Sequence, residues 1–242
     1  MSGSIRLFVT PSLTEGAAVA ATPQQAHYLA HVMRRTVGDA VALFNGADGE
    51  WQARITTLRG DRATFAVAQH LRPQAPEPDI WLAFAPLKRD ATDLLVQKAT
   101  ELGAAALLPV VTARTNAARI NPQRLTAIAV EAAEQCERLT VPHIRDLTDL
   151  PTLLRDWPNE RELVVAMERT RAPRVALTAG PAGLLVGPEG GFTERELDVL
   201  RSRPFVVPAS LGPLILRAET AAIVGLALLQ APCPATPDGQ TG

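Results

Sequence analysis

The chain has 242 residues and a mass of 25.8 kDa, with 47% hydrophobic and 20% charged residues. That composition supports a real core in one large domain or two modest ones and excludes a chain disordered throughout. The 24 Lys and Arg balance 25 Asp and Glu, which excludes a wholesale basic coat for nucleic acid but leaves room for a local basic patch.

Taken in chain order, the start, MSGSIRLFVT, lacks the apolar run of a secretory leader, and the expectation is a soluble, cytoplasmic protein. The first 72 residues alternate short apolar runs with turn signals: IRLFV, AVALF, EWQARITTL and ATFAVAQHL. Asn45 to Glu50, NGADGE, carries Asn-Gly and Asp-Gly turns between two strand-like runs, a hairpin signal. One short helix is expected from Pro23 to Arg35, capped by Thr22. Residues 1–72 therefore read as a small β-rich module. Phe8, Phe44 and Trp51 sit among its apolar strand residues and read as core rather than as base-stacking platforms. Three prolines in RPQAPEPD make residues 73–79 a linker.

Beyond the linker the period changes. IWLAFAPL from Ile80 reads as a buried strand, followed by a helix in RDATDLLVQKATELG with Ala91, Leu94, Leu95, Lys98, Ala99 and Leu102 on one side. AALLPVV is a strand, and NPQRLTAIAVEAAEQCERL is a helix capped by Asn121. ELVVAM, RVALTA and LLVG follow as strands, then TERELDVLRSR as a helix, FVVPA as a strand and LGPLILRAETAAIVGLALLQ as the last helix. Strand and helix alternate, so residues 80–231 read as an α/β domain on a mainly parallel sheet. Residues 232–242 read as a disordered tail.

The sharpest chemical signal is LLVGPEGGFTERE. Gly190 and Gly191 let the backbone approach a ligand closely, and Thr193 with Glu196 forms a capping box that starts the next helix. Glu189 stands at the mouth of this loop, as a ligand contact or as a structural acceptor. In PASLGPLILRAETAA, Arg217 and Glu219 interrupt an apolar stretch, and a charge there needs a partner or a ligand. An Arg217–Glu189 pair is one possibility. Lys88 and Arg114 each follow a strand and could contact phosphate. In the small module Arg6, His31, Arg34 and Arg35 form a possible RNA-facing set. There is no GxGxxG, no GxxxxGK[ST] and no GxSxG, and neither Cys136 and Cys233 nor the four histidines follow a metal-site spacing.

These motifs carry a family resemblance. HYLAHVMRRTVGDAVALFNG, LKRDATDLLVQKATELGAAALLPVVTARTN, EAAEQCERLTVP, LLVGPEGGFTERE and LGPLILRAETAA resemble the bacterial 16S ribosomal RNA uridine-N3 methyltransferases of the SPOUT superfamily. The resemblance spans Ile5 to about Leu229. It implies a PUA-like N-terminal β-barrel and an α/β methyltransferase domain with a trefoil knot. It also implies a homodimer, S-adenosylmethionine as cofactor, no metal, and 16S rRNA or the small ribosomal subunit as partner. Carried over residue by residue, it places the cofactor against Leu185, Val186, Gly187, Pro188, Glu189, Gly190 and Gly191. A second loop supplies Pro208, Ser210, Leu211, Gly212, Leu214, Ile215 and Leu216. Leu214 stands where the family commonly has arginine, leaving Arg217 as the arginine of that motif. Arg217 and Glu189 are then the expected catalytic pair, to orient the uracil and balance or accept charge as N3 loses its proton. Three other outcomes stay compatible: a knotted RNA ribose 2′-O-methyltransferase, a non-catalytic RNA-binding ribosome assembly factor and, last, a small-molecule methyltransferase, which would leave the N-terminal module without an evident purpose.

Overall fold

A computed structural model describes residues 5–116, 119–167, 173 and 180–230. The RVALTA strand and the tail fall outside the described residues. The chain divides into two units: Met1–Pro76 with Val130–Val141, and Glu77–Ala129 with Pro142–Gly242. The second unit thus surrenders a segment containing EAAEQCER to the first, where the sequence suggested one continuous stretch. Among the described residues no helix is long and apolar enough to cross a membrane.

The first unit is built on β1 (Arg6–Phe8), β2 (Ala18–Ala20), β3 (Ala40–Phe44), β4 (Glu50–Arg59) and β5 (Arg62–Arg72). The sheet runs β1-β3-β4-β5-β2. Shifts of register between β4 and β5 at Glu50/Trp51, Gln52/Ala53 and Ile55/Thr57 bend this long hairpin. Leu7, Val41, Leu43, Ile55 and Phe65 fill its core. The expected β3–β4 hairpin forms because the Asn45 side-chain carbonyl accepts the Ala47 and Asp48 backbone N–H groups. The short helix α1 (Pro23–His27) has the expected Thr22 cap, completed by Gln25 as a capping box. It then widens into a π-turn over Tyr28–Val32 and stops short of Arg35, because Arg34 takes φ +51°. Phe44 is fully buried, and Trp51 packs against the core with its indole N–H donated to the Asp48 carbonyl.

Arg6 ties the returning segment to this unit. It is 9% exposed. Its Nε donates to Glu50 Oε1 at 2.6 Å, and its two terminal nitrogens donate to the Ala133, Glu134 and Arg138 carbonyls at 2.8, 2.9 and 2.9 Å. The first two carbonyls belong to the end of α3 (Pro122–Gln135), where a helix leaves acceptors without intrahelical partners, and the third lies in the turn that follows it. Glu137, at φ +61°, turns the chain out of the helix before the expected Leu139. Arg6 is therefore a structural residue and leaves the RNA-facing set. Glu134 is half-buried and accepts the Phe8 backbone N–H at 2.9 Å. Burial pushes its carboxyl up to about 7 against the opposing effects of that hydrogen bond and of Arg6, with neighbouring Glu131 adding to the rise.

The second unit is an all-parallel sheet ordered β12-β10-β11-β6-β7-β8, with β9 pairing the far end of β7. Its strands are β6 (Ile80–Phe84), β7 (Ala106–Val111), β8 (His143–Ile144), β9 (Thr148–Asp149), β10 (Glu162–Ala166), β11 (Ala182–Val186) and β12 (Val206–Ala209). The remaining helices are α2 (Arg89–Glu101), α4 (Leu150–Arg155), α5 (Glu194–Arg201) and α6 (Ala218–Gln230). The chain lays down β6 and β10 with a slot between them and fills that slot later with β11. The central strands are near-continuous apolar runs, as burial on both faces requires.

Two close approaches seat β11. A Cβ on Gly183 would lie 2.5 Å from the Trp157 ring, and one on Gly225 of α6 would lie 2.5 Å from a Leu184 methyl. Trp157 is held in turn by donating to the Arg161 carbonyl, and Arg161 stacks on Trp81 while bonding to Asp79. On α2 the buried residues are Thr92, Leu95, Val96, Ala99 and Thr100, so the inward face is rotated from the expected one and Leu94 is exposed. Lys98 pairs with Glu101 one turn on. The last helix begins at Ala218, beyond the expected start at Leu211. Gly212 at φ +134° and Pro213 hold the segment before it as a loop, with Leu214 77% exposed and Ile215 57% exposed.

This packing makes two predictions about stability. Gly183→Ala forces its new methyl against a buried, hydrogen-bonded indole, and a loss of about 1–3 kcal/mol in denaturant unfolding is expected. An unchanged midpoint would show that the ring is not seated there. For Glu134, the folded state keeps its proton above the ordinary carboxyl range, so stability falls as pH rises from about 4.5 to about 7. Glu134→Gln should therefore gain on the wild type, in thermal melts at pH 8 relative to pH 5, by on the order of 1–2 kcal/mol after discounting for partial exposure. A gain at pH 5 that vanishes at pH 8 would contradict the assigned direction.

Candidate active site

Because the second sheet is parallel, β10, β11 and β12 all end on the same edge, and ligands in open α/β sheets bind outside the carboxyl ends of strands. A cleft of about 740 Å³ opens there. Its walls come from the end of β10 at Ala166 and Met167, from Val186 to Phe192 after β11, and from Ser210 to Leu216 after β12. Arg114, Glu194, Leu197, Arg201, Ala218 and Ala221 complete them. The volume falls within the roughly 300–1,000 Å³ usual for small-molecule sites.

The loop after β11 is held from three sides. The Gly191 N–H donates to the Pro188 carbonyl at 2.8 Å, closing a tight turn for which Gly191 takes φ +66°. Arg114 donates to the Gly190 carbonyl at 2.7 Å. A Cβ on Gly187 would press on the Phe192 ring at 3.0 Å. The expected capping box is present: the Thr193 side chain accepts the Glu196 N–H, and Glu196 accepts the Thr193 N–H at 2.8 Å. Glu196 Oε1 also accepts the Ala113 N–H at 2.7 Å, linking the segment after β7 to the start of α5. Burial favours the neutral Glu196 carboxyl, but the Ala113 and Thr193 donors and the charge of Arg114 outweigh it and hold the group below its ordinary value. In the loop after β12, the Ser210 hydroxyl lies 3.3 Å from both the Gly212 N–H and the Gly212 carbonyl. The Ser210 N–H donates to the Pro173 carbonyl at 2.9 Å.

The structure gathers Val186, Gly187, Pro188, Glu189, Gly190, Gly191, Ser210, Leu211, Gly212, Leu214, Ile215 and Leu216 in this cleft. Two residues expected with them do not line it. Leu185 lies within β11 and is fully buried in the core, and Pro208 sits within β12 opposite Val165. Glu189 lines the cleft, whereas Arg217 is exposed just beyond the loop and outside the lining. Among the described residues the two form no ion pair. Arg217 instead occupies the cap of α6, its carbonyl accepting the Ala221 N–H. The arginines on the cleft wall are Arg114 and Arg201. Met167 and Arg201 were not expected; Met167 reaches the site because β10 neighbours β11, and Arg201 because α5 packs against β12, relations with no local sequence signal, whereas Phe192 simply follows Gly191.

Of the residues expected to face RNA, His31 and Arg34 are exposed, and the His31 ring lies 4.6 Å from that of His27. Arg35 is half-buried, its Nε without a hydrogen-bond partner. Lys88 and Arg114 do not act as a pair: Arg114 belongs to the cleft just described, and Lys88 lines a different cavity.

Comparison with known proteins places this geometry. Residues 74–230 match the model of an RNA methyltransferase domain, and residues 21–67 match that of an RNA methyltransferase PUA domain. A relative from Rickettsia conorii named ribosomal RNA small subunit methyltransferase E is 34% identical, covering 92% of this chain and 93% of its own. The protein of the same name from Bacillus subtilis is 31% identical over 86% of this chain and 88% of its own. Among solved structures, a Legionella pneumophila methyltransferase in complex with S-adenosylmethionine superposes with a TM-score of 0.85 at 28% identity, covering 94% of this chain and 97% of that one. Ribosomal RNA small subunit methyltransferase E from Neisseria gonorrhoeae, bound to S-adenosyl methionine, superposes with a TM-score of 0.84 at 27% identity and the same coverage. With its parallel sheet, its PUA-like first unit and a family match over most of its length, the chain belongs to the RNA methyltransferase family.

Proposed function

We propose that this protein methylates N3 of a uridine in the 16S rRNA of the small ribosomal subunit, with S-adenosylmethionine as methyl donor. The observation that carries the reading is the glycine-lined cleft at the ends of β10, β11 and β12, in a chain whose relatives are named for methylating small-subunit ribosomal RNA. The residues present fit such a cofactor. Gly187, Gly190 and Gly191 leave backbone groups accessible, Met167, Leu211 and Leu216 offer apolar contact to a ring, and Glu189 and Glu194 place negative charge on the wall for a cation. Bound there, S-adenosylmethionine supplies an electrophilic methyl group on a positively charged sulfur.

The protein's own residues then have three tasks. Uracil N3 carries a weakly acidic proton that must leave before the nitrogen can attack, and Glu189 is the cleft carboxylate assigned to accept it. The uracil anion needs a cation. Arg217, exposed and without an ion-pair partner among the described residues, is assigned to meet its oxygen once RNA is bound. The loops from Gly187 and Ser210 exclude water from the reacting atoms. N3 lies on the Watson–Crick edge, so the target base must be unpaired or extruded. Residues 1–72 are assigned shape and phosphate contacts to the RNA through His31, Arg34 and Arg35. The family resemblance further supports a knotted chain that works as a cytoplasmic homodimer.

Mass mapping of nucleosides, after incubating the protein with S-adenosylmethionine and small subunits lacking the modification, should give N3-methyluridine at a single site. A ribose-methylated nucleoside would favour 2′-O transfer, and no transfer together with no cofactor binding would favour an assembly factor. At saturating cofactor, Glu189→Gln should slow transfer roughly 10²–10⁴-fold, and Arg217→Lys should slow it as well. Wild-type turnover in both variants would remove the two residues from catalysis.

A further inference from the structure

A second cavity of about 410 Å³ lies in the methyltransferase unit and shares no lining residue with the cofactor cleft. It opens between the first turn of α2 and the first turn of α3. Its lining carries four cations, Lys88, Arg89, Arg119 and Arg124, against one carboxylate, Asp93. Asp93 is already engaged by Arg124, which forms an ion pair with it. Lys88, Arg89 and Arg119 are exposed and have no ion-pair partner among the described residues, leaving a concave surface with three uncompensated positive charges. Concave walls of one sign focus the field and raise the local concentration of anions.

The two helix starts differ. Asn121 caps α3, its side-chain carbonyl accepting the Arg124 N–H at 3.0 Å. At α2 the capping position is Lys88, which provides no side-chain acceptor, and the nearby Thr92 hydroxyl is engaged with the Leu87 backbone. The first N–H groups of α2 therefore have no capping side chain, Asp90 is the one acidic residue of that turn, and an anion joining Lys88 and Arg89 at this helix start is favourable. Behind the charges, Leu87 and Leu125 form a buried apolar wall.

We infer that this cavity binds one nucleotide of the RNA strand outside the target base, its phosphate on Lys88, Arg89 and Arg119 and its sugar or base against Leu87 and Leu125. The inference rests on the reading of the protein as an RNA methyltransferase. It separates two functions along one face of sequence: Arg114 supports the loop of the cofactor cleft, and Lys88 holds substrate backbone. Phosphate suits the site better than a carboxylate, because two guanidinium forks and an ammonium offer more donors than two oxygens accept. The depth beyond the charges gives room for more than a bare phosphate.

The test is a double variant, Lys88→Ala with Arg119→Ala, in the full chain. Both side chains are exposed, and the Asp93–Arg124 pair is left intact, so thermal melts should match the wild type. Binding to small-subunit RNA should weaken about tenfold near physiological salt. The slope of log K against log salt should fall by about 0.7, the value for the one single-strand phosphate that is no longer neutralised. Affinity for S-adenosylmethionine should not change. A salt slope equal to that of the wild type overturns the site. If the wild type itself binds no RNA, the parent reading falls, a distinguishable result. In a second arm, inorganic phosphate and a short RNA oligonucleotide are titrated into wild type and double variant. Preference for the oligonucleotide, abolished in the variant, supports a nucleotide site; equal affinity for the two ligands assigns the cavity to free phosphate and overturns the RNA assignment.

Discussion

The structure depends on how tightly β11 is enclosed. This strand fills a slot between β6 and β10, is buried along its whole length, and lies against Trp157 at Gly183 and against α6 at Gly225. Neither glycine has room for a methyl group, so the strand's depth and register are set by backbone contact rather than by adjustable side chains. Where β11 ends is therefore fixed to within a residue, and the Gly187–Gly191 loop leaves the sheet beside the ends of β10 and β12. Sequence thus becomes function by a short route: small residues inside the strand position the small residues after it.

Polar groups reinforce the same loops. Glu196 binds its own helix cap and the Ala113 N–H, while Arg114 reaches the Gly190 carbonyl, so the segment after β7 and the loop after β11 hold each other. In the first unit Arg6 plays a comparable part, gathering two carbonyls from the end of α3 and one from the turn after it while its charge is balanced by Glu50. A buried pair of this kind is costly to break from one side only, and it makes the returning segment Val130–Val141 part of the first unit. Charged residues in this chain divide between those that build the scaffold and those that remain available to a ligand, and burial is what sorts them.

That sorting was the least legible feature in the sequence. Local signals were readable: Thr22 and Thr193 as caps, Asn45 to Glu50 as a turn, and the parallel α/β order after Ile80 all follow from short-range chemistry. The glycine loop could also be marked as a candidate ligand loop, because strand, double glycine and capping box stand next to one another, and it lines the cleft. Partners distant in sequence could not be read. Arg6 resembles Arg34 as a basic residue beside apolar neighbours, yet one meets carbonyls about 130 positions away and the other meets solvent. Met167 and Arg201 enter the cleft only because of strand order. The apolar run from Leu211 to Leu216 has a helix-like composition, but Gly212 and Pro213 make it a loop and leave Leu214 and Ile215 exposed on the cleft wall.

The proposed function stands or falls on the glycine loop after β11 as the cofactor cradle. Calorimetric titration of S-adenosylmethionine into the full chain and into Gly190→Val probes that role without touching the core. A Cβ at position 190 would meet the Arg114 side chain at 3.3 Å, so the added bulk perturbs the wall of the cleft and not the strands beneath it. A cradle in this loop gives one binding site in the wild type and an affinity at least about tenfold weaker in the variant, with an unchanged melting temperature in the absence of cofactor. Equal affinity in the two proteins would contradict it and move the cofactor away from this loop.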